Sequence, residues 1–232
     1  MKPAIFLSLF FLSSCSFSHK TGYQTTLKMQ LDTIYANDQR YRTFMVLQPG
    51  KERDSLAKMM GLKPDEVNEH FSHVQHNLDS INLVLIEHIF IKYGYPGKSM
   101  VDSPANEAAY YVIQHSDKIS QYFPLIEKAG KAGELSFLLV AMMQDRLLKD
   151  GGKEQIYGTQ FAGYAEKDSV TGEQKISWFL WPVKDYIHLN ETRENAGFTE
   201  TIEANAASQG IEFRIMTIEE LKEKHPGFLP QK

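Results

Sequence analysis

The stretch AYYVIQHSD, residues 109–117, carries an ionisable imidazole at the tip of an otherwise apolar segment. A histidine in the last turn of a helix sits where the carbonyl end of the macrodipole favours its protonated form. That position suits a ring tied to nearby carbonyls, and equally an imidazole lining a cleft as a general base. Asp117, two residues on, can cap the following helix with its carboxylate or face the same cleft.

A second concentration of polar groups follows at 144–146. Asp145 extends the apolar row Leu138–Met142, and Arg146 extends the row Leu139–Met143, so these charges either turn inward or mark where the helix emerges. Turned inward, each needs a partner, because an isolated charge in a protein interior costs several kcal/mol. Turned outward, Asp145 pairs with Lys149 and Arg146 with Asp150 at i,i+4 spacing. EQIYGTQF, residues 154–161, then alternates as a strand, with Gln155, Tyr157 and Thr159 on one face and Ile156, Gly158 and Gln160 on the other. Glutamine and tyrosine supply neutral donors and acceptors that orient a polar ligand. A glycine inside a strand often marks close approach by a ligand or another backbone.

Other arrangements are weaker. His70, His73 and His76 fan across about 120° of a helix and cannot converge on one ion without help from elsewhere, so they read as a solvated face and no metal site is assigned. His88 reads as a satisfied buried histidine. Nucleophile-elbow, Walker A, H-E-x-x-H and G-x-G-x-x-G patterns are absent from the sequence. No cofactor is implied.

The elements that must position these residues are mostly helical. Leu31, Ile34, Tyr35, Tyr41 and Met45 predict a helix over residues 27–47, ended by Pro49 and Gly50. A turn of helix in DSLAKMM closes at Gly61, and Val67, Phe71, Val74, Leu78, Ile81 and Leu85 form an apolar stripe on a long helix entering the core. YGYPGKS breaks it. Ser103 as N-cap and Pro104 in the first turn launch the helix carrying His115; the next ends at GKAG, and a fifth runs from Glu134 to Asp150. Beyond Gly152 the period changes to two, and QIYGTQFAGYAE with KISWFLWPV predicts a hairpin. Two short helices, a possible strand IEFRIM and a capping box TIEE at Thr217 complete the chain. The expected fold is mainly α within the α+β class: about five main helices, a C-terminal hairpin and short helices.

The first residues imply export. MKPAIFLSLFFLSS, residues 1–14, places Lys2 before an apolar run too short to remain as a membrane span, the layout of a secretory signal. LSSC, ending at Cys15, is similar to a bacterial lipobox and implies cleavage before Cys15 and lipid on its sulfur. Residues 15–26 read as a tether and 27–232 as a single α-rich domain. Cys15 is the only cysteine, so the fold holds without an internal disulfide. The formal net charge is −4 with no basic block, which argues against a nucleic-acid partner. Ser16 gives no acidic retention signal, so the expected location is the outer membrane, facing the periplasm.

Residues 75–198 resemble a bacterial domain-of-unknown-function family, number 6624. The resemblance rests on YGYPGKSMV (93–101), AAYYVIQHSD (108–117) with Gln121 following, MMQDRLLKDGGKEQIYGTQF, and a looser PVKDYIHLNETRENAGF (182–198). It implies that His115, Asp117, Gln121, Asp145, Arg146, Gln155, Tyr157, Gly158, Thr159 and Gln160 belong to recurring motifs. Asp102 stands where the pattern expects glycine, and the tail block is diluted around His188 to Arg193, so no role is assigned to Arg193.

Three functions are compatible with these residues. The first is a lipid-anchored envelope protein whose cleft binds a small polar ligand or a peptide or glycan segment, with Arg146 on an anionic group and Gln155, Tyr157 and Gln160 orienting it. The second is a hydrolase with His115 as general base and Asp145 or Asp117 setting its tautomer. The third is a scaffold in which the same groups form a buried network.

Overall fold

Leu27, Leu31 and Ile34 recur at helical spacing and are all buried on α1 (Thr25–Gln39), the first element of the computed structural model. The structure describes residues 24–167, 172, 174–211 and 213–230. The expected export signal, Cys15 and the expected tether up to residue 23 lie outside the described residues, whereas Thr25 and Thr26 already belong to α1.

The helix expected over residues 27–47 is interrupted, and α2 (Arg42–Met45) follows α1 as a separate turn. The interruption has a partner from another helix. Gln75 Nε2 lies 3.1 and 2.9 Å from the carbonyl oxygens of Asn37 and Asp38, and Gln75 Oε1 accepts from Tyr41 N–H at 3.0 Å. The side-chain amide takes over groups that an unbroken helix would satisfy internally. After α3 (Lys51–Met60), closed by left-handed Gly61, α4 (Val67–Tyr93) runs antiparallel to α1.

The buried face of α4 departs from the expected stripe. Val67 and Phe71 are buried, but the buried row continues through Gln75, Asn82 and Ile86, while Ile81 is 58% exposed. Polar residues occupy the inner face because the end of α1 presents carbonyls and a charge there: Asn82 donates to Ile34 O, and Gln75 also lies 2.8 Å from Asp79 Oδ1. His88 is exposed, not buried.

A short α5 (Lys98–Val101) and a 3₁₀ turn over Ala105–Glu107 precede α6 (Ala108–Gln114). Ser103 and Pro104 therefore do not cap α6. The Ser103–Pro104 bond is cis, and Ser103 N–H instead donates to Asp102 Oδ1. His115 ends α6. Between it and α7 (Ile119–Lys131), Ser116 Oγ accepts from Lys118 N–H, doing the turn-capping expected of Asp117, which is exposed. With α8 (Phe137–Asp150), these helices enclose the main core, where Ile86, Tyr110, Ile113, Ile126, Val140 and Met143 are almost completely buried.

The hairpin is shorter than expected. β1 (Phe161–Lys167) and β2 (Gln174–Leu180) pair antiparallel with Phe161 opposite Leu180, and residues 168–171 and 173 lie outside the described residues. Residues 155–160 form no strand; Gln155 makes only an isolated bridge with Val183. α9 (Leu189–Asn195), α10 (Ile202–Ser208) and α11 (Ile218–Lys224) pack against the hairpin through Phe179, Leu180, Trp181, Leu189, Ile202 and Leu221. Thr217 and Glu220 form the expected capping box on α11. The described part of IEFRIM is not a strand. The architecture is mainly helical with one two-stranded antiparallel sheet, an α+β fold.

Candidate functional site

The polar residues sort into two centres. In the first, Asp145 is completely buried, and its carboxylate accepts from Ile156 N–H at 2.7 Å, Tyr157 N–H at 3.1 Å, Thr159 N–H at 3.0 Å and the Thr159 hydroxyl at 3.0 Å. These donors converge because residues 155–160 curl around the side chain, aided by Gly158 at φ +68°. A Cβ at Gly158 would also meet Ile202 and Leu189 at 3.3 Å, so packing and backbone conformation account for this glycine, with no ligand needed. Burial pushes the Asp145 carboxyl up, and the converging N–H groups oppose that shift.

Gln155 and Arg193 close the same centre. Buried Gln155 donates to Trp181 O at 2.7 Å and Gln160 O at 3.0 Å and accepts from Gln160 N–H at 2.9 Å, so its amide is spent on the chain itself. Gln160 Nε2 donates to Thr159 Oγ1, and Tyr157 packs edge-on against Phe137. Arg193, 3% exposed, donates to Tyr157 O and twice to Glu200 O and lies over the Phe198 ring. Nothing in the local sequence sets Arg193 apart; its carbonyl partners are defined only once α9 docks on the loop. Gln155→Ala is expected to lower stability by about 2 kcal/mol, since it strands buried groups at both ends of the loop. Urea unfolding measures this, and a loss near zero would mean the amide is dispensable.

The second centre holds His115, whose partner is Asp38, neither Asp145 nor Asp117. His115 Nδ1 lies 3.1 and 3.2 Å from the two Asp38 oxygens, and the Asp38 side chain is 1% exposed. Arg42 clamps the same carboxylate at 2.7 Å and reaches Asp79 at 2.8 Å. Burial resists ionisation of Asp38, but hydrogen bonds and charge from His115 and Arg42 outweigh it and hold the carboxyl below its ordinary value. At neutral pH Asp38 is thus an acceptor only, which places a proton on Nδ1 of His115. Nε2 has no hydrogen-bond partner among the described residues.

Because the Asp38 pKa is depressed on folding, its contribution to stability is complete above its ordinary value of 3.8 and is lost as pH falls through the lower folded value. Thermal melts taken from pH 7 down to pH 3 on the order of half-unit steps should therefore drop steeply below about pH 4. The same series on Asp38→Asn should fall less. An equal slope in both proteins would remove Asp38 from the account.

A recess of about 380 Å³ opens at this ring, walled by His76, Asp79 and Ser80 of α4 and by His115, Ser116 and Asp117. A neighbouring groove of about 320 Å³ shares Ser116 and Asp117 and adds Arg146 and Asp150. Arg146 Nε is 3.9 Å from Asp150 and the side chain is 38% exposed. Gln121 is exposed on α7 with no side-chain hydrogen bond among the described residues.

Of the residues picked from sequence, His115 and Arg146 therefore line neighbouring recesses, and Asp117 lines both. Asp145, Gln155, Tyr157 and Gln160 belong to the other centre, and no hydrogen bond joins Asp145 to His115. Asp38, Arg42, Gln75 and Asp79 went unrecognised. The available signal was a carboxylate and an arginine at i,i+4 on α1 and α2, facing a glutamine and an aspartate at i,i+4 on α4. No group of three or more histidine, cysteine, aspartate or glutamate side chains is placed to hold a metal among the described residues, and no helix among them is long and apolar enough to cross a membrane. No protein-family model, curated protein or solved structure matches the chain.

Proposed function

We propose that this chain is a lipid-anchored protein of a bacterial cell envelope, attached through Cys15 at the outer membrane and facing the periplasm, whose His115 recess binds a small polar ligand or a segment of envelope peptide or glycan. One observation carries the binding reading: Nδ1 of His115 is held by buried Asp38, and the ring lines an open recess with Nε2 unpartnered among the described residues. Asp79 and Asp117 add carboxylate acceptors on the same wall. Such a lining favours ligands rich in hydroxyl or ammonium donors. The address rests on the apolar run before Cys15 and the LSSC stretch.

A second reading is favoured by the same dyad. A carboxylate that fixes the imidazole tautomer is the arrangement a general base needs, so a hydrolase would use His115 with Asp38 in the orienting role first given to Asp145 or Asp117. The Asp145 centre fits the scaffold reading, because its donors and acceptors satisfy one another.

Incubating the protein with envelope-derived peptides and glycans separates these readings by mass spectrometry. A co-eluting compound of unchanged mass, lost in His115→Gln at unchanged melting temperature, supports binding. New product masses support the hydrolase, and no retention by a folded protein would overturn both. Palmitate labelling tests the anchor: incorporation should vanish in Cys15→Ala.

A further inference from the structure

The two recesses share Ser116 and Asp117 in their linings, and the one beside Arg146 gathers ionic side chains of both signs. Asp117 makes no side-chain hydrogen bond or ion pair among the described residues. Arg146 makes no hydrogen bond among the described residues, and its ion-pair contact, Asp150 at 3.9 Å, lies beyond hydrogen-bonding distance. One groove is thus lined by a guanidinium fork and two carboxylates, Asp117 and Asp150, of which Asp150 forms a long ion pair with Arg146. Arg146 faces Asp150 only across this long ion pair and Asp117 has no partner among the described residues, so a groove of about 320 Å³ lined by both signs has room for a ligand carrying both signs.

Resting on the recess reading above, we infer that these neighbouring recesses take a zwitterion bearing a free ammonium and a free carboxylate, as in an amino acid or an uncapped peptide. The carboxylate lies on Arg146, whose planar fork matches it with two parallel hydrogen bonds. The ammonium lies between Asp117 and Asp150, and the rest of the ligand extends past Ser116 toward Nε2 of His115. Because these charges are partly solvated, each end contributes modestly and both ends are needed for measurable binding.

The test is isothermal titration of the full chain with L-alanine, L-alanyl-L-alanine, N-acetyl-L-alanyl-L-alanine, L-alanyl-L-alanine amide and a neutral disaccharide. Either alanine or the uncapped dipeptide binds, which distinguishes a free amino acid from a peptide end, and blocking either terminus of the dipeptide weakens binding several-fold. Arg146→Gln removes the penalty for the amide, and Asp117→Asn reduces the penalty for the acetyl group. Equal binding of capped and uncapped dipeptides overturns the zwitterion while leaving the recess reading intact. So does binding of the disaccharide alone, if it is lost in His115→Gln. Absence of binding by every probe overturns the zwitterion, and retention of an envelope compound in the mass-spectrometric experiment then decides the fate of the recess separately.

Discussion

Asp145→Ala is expected to destabilise the protein by about 3–5 kcal/mol, the largest stability loss of any single polar substitution considered, because four donors lose their common acceptor at once. Ile156, Tyr157 and Thr159 each point a backbone N–H at this carboxylate, and the Thr159 hydroxyl adds a fourth donor. Alanine leaves these donors in a space from which water is largely excluded. The loop that they belong to joins α8 to the hairpin, and Arg193 reaches Tyr157 O from its far side, so its release loosens the contact between the helical half and the C-terminal half. At a size of roughly 150–250 residues each kcal/mol moves the melting temperature by about 2–4 °C, so a drop of about 10 °C is expected. Asp145→Asn should lose less than Asp145→Ala, because the amide oxygen keeps some of the acceptors' work while its NH₂ faces donors. Hydrogen exchange localises the effect: the amides of residues 156, 157 and 159 should become fast. A loss under about 1 kcal/mol, within the range of ordinary surface substitutions, would show that the loop holds without its carboxylate.

Asp38→Asn is expected to have the largest effect on whatever the recess does. An asparagine at this position can donate to Nδ1, which moves the ring proton of His115 to Nε2 and replaces the acceptor facing the recess by a donor. It also removes the charge that Arg42 clamps, although Arg42 keeps Asp79 at 2.8 Å. If the ring acts as a general base, turnover should fall by about 10²–10⁴. If it accepts one hydrogen bond from a ligand, affinity should fall by about tenfold, near the 1.4 kcal/mol that such a bond is worth. Ring ¹⁵N chemical shifts of His115 report the tautomer directly and need no substrate. Finding the Nδ1–H form in both proteins would break the link from Asp38 to the recess, whatever happened to activity.

Much of the helical half was legible in the sequence. Leu27, Leu31 and Ile34, or Val67 and Phe71, repeat at the helical period, and the buried face follows because apolar side chains have one favourable place to go. Gly61 and the Thr217–Glu220 capping box are equally local, since one φ angle or one side chain reaching three residues along decides them. The hairpin itself was visible in its period of two, but its start was not: Gln155, Tyr157 and Thr159 alternate as in a strand, and only the Asp145 carboxylate from α8 bends them into a loop.

The candidate site was half legible. His115 stood out as an imidazole at an apolar helix tip, Arg146 as a charge extending an apolar row, and Asp117 as a carboxylate two residues after the imidazole. Their partner Asp38 lies 77 residues before His115, and no periodicity reaches that far. Gln75 and Asn82 were missed for the same reason, because they look like interruptions of an apolar stripe until the carbonyls of α1 are brought against them.

Alone, the amino-acid order determined a mainly helical chain with a C-terminal hairpin and an imidazole at the tip of an apolar helix. The tertiary structure decided that Asp145 is an anchor for a loop and that His115 answers to Asp38. Local patterns depend on neighbours a few residues apart, whose geometry the backbone sets. The identity of a buried charge's partner depends on which distant groups packing forces into the same dry space.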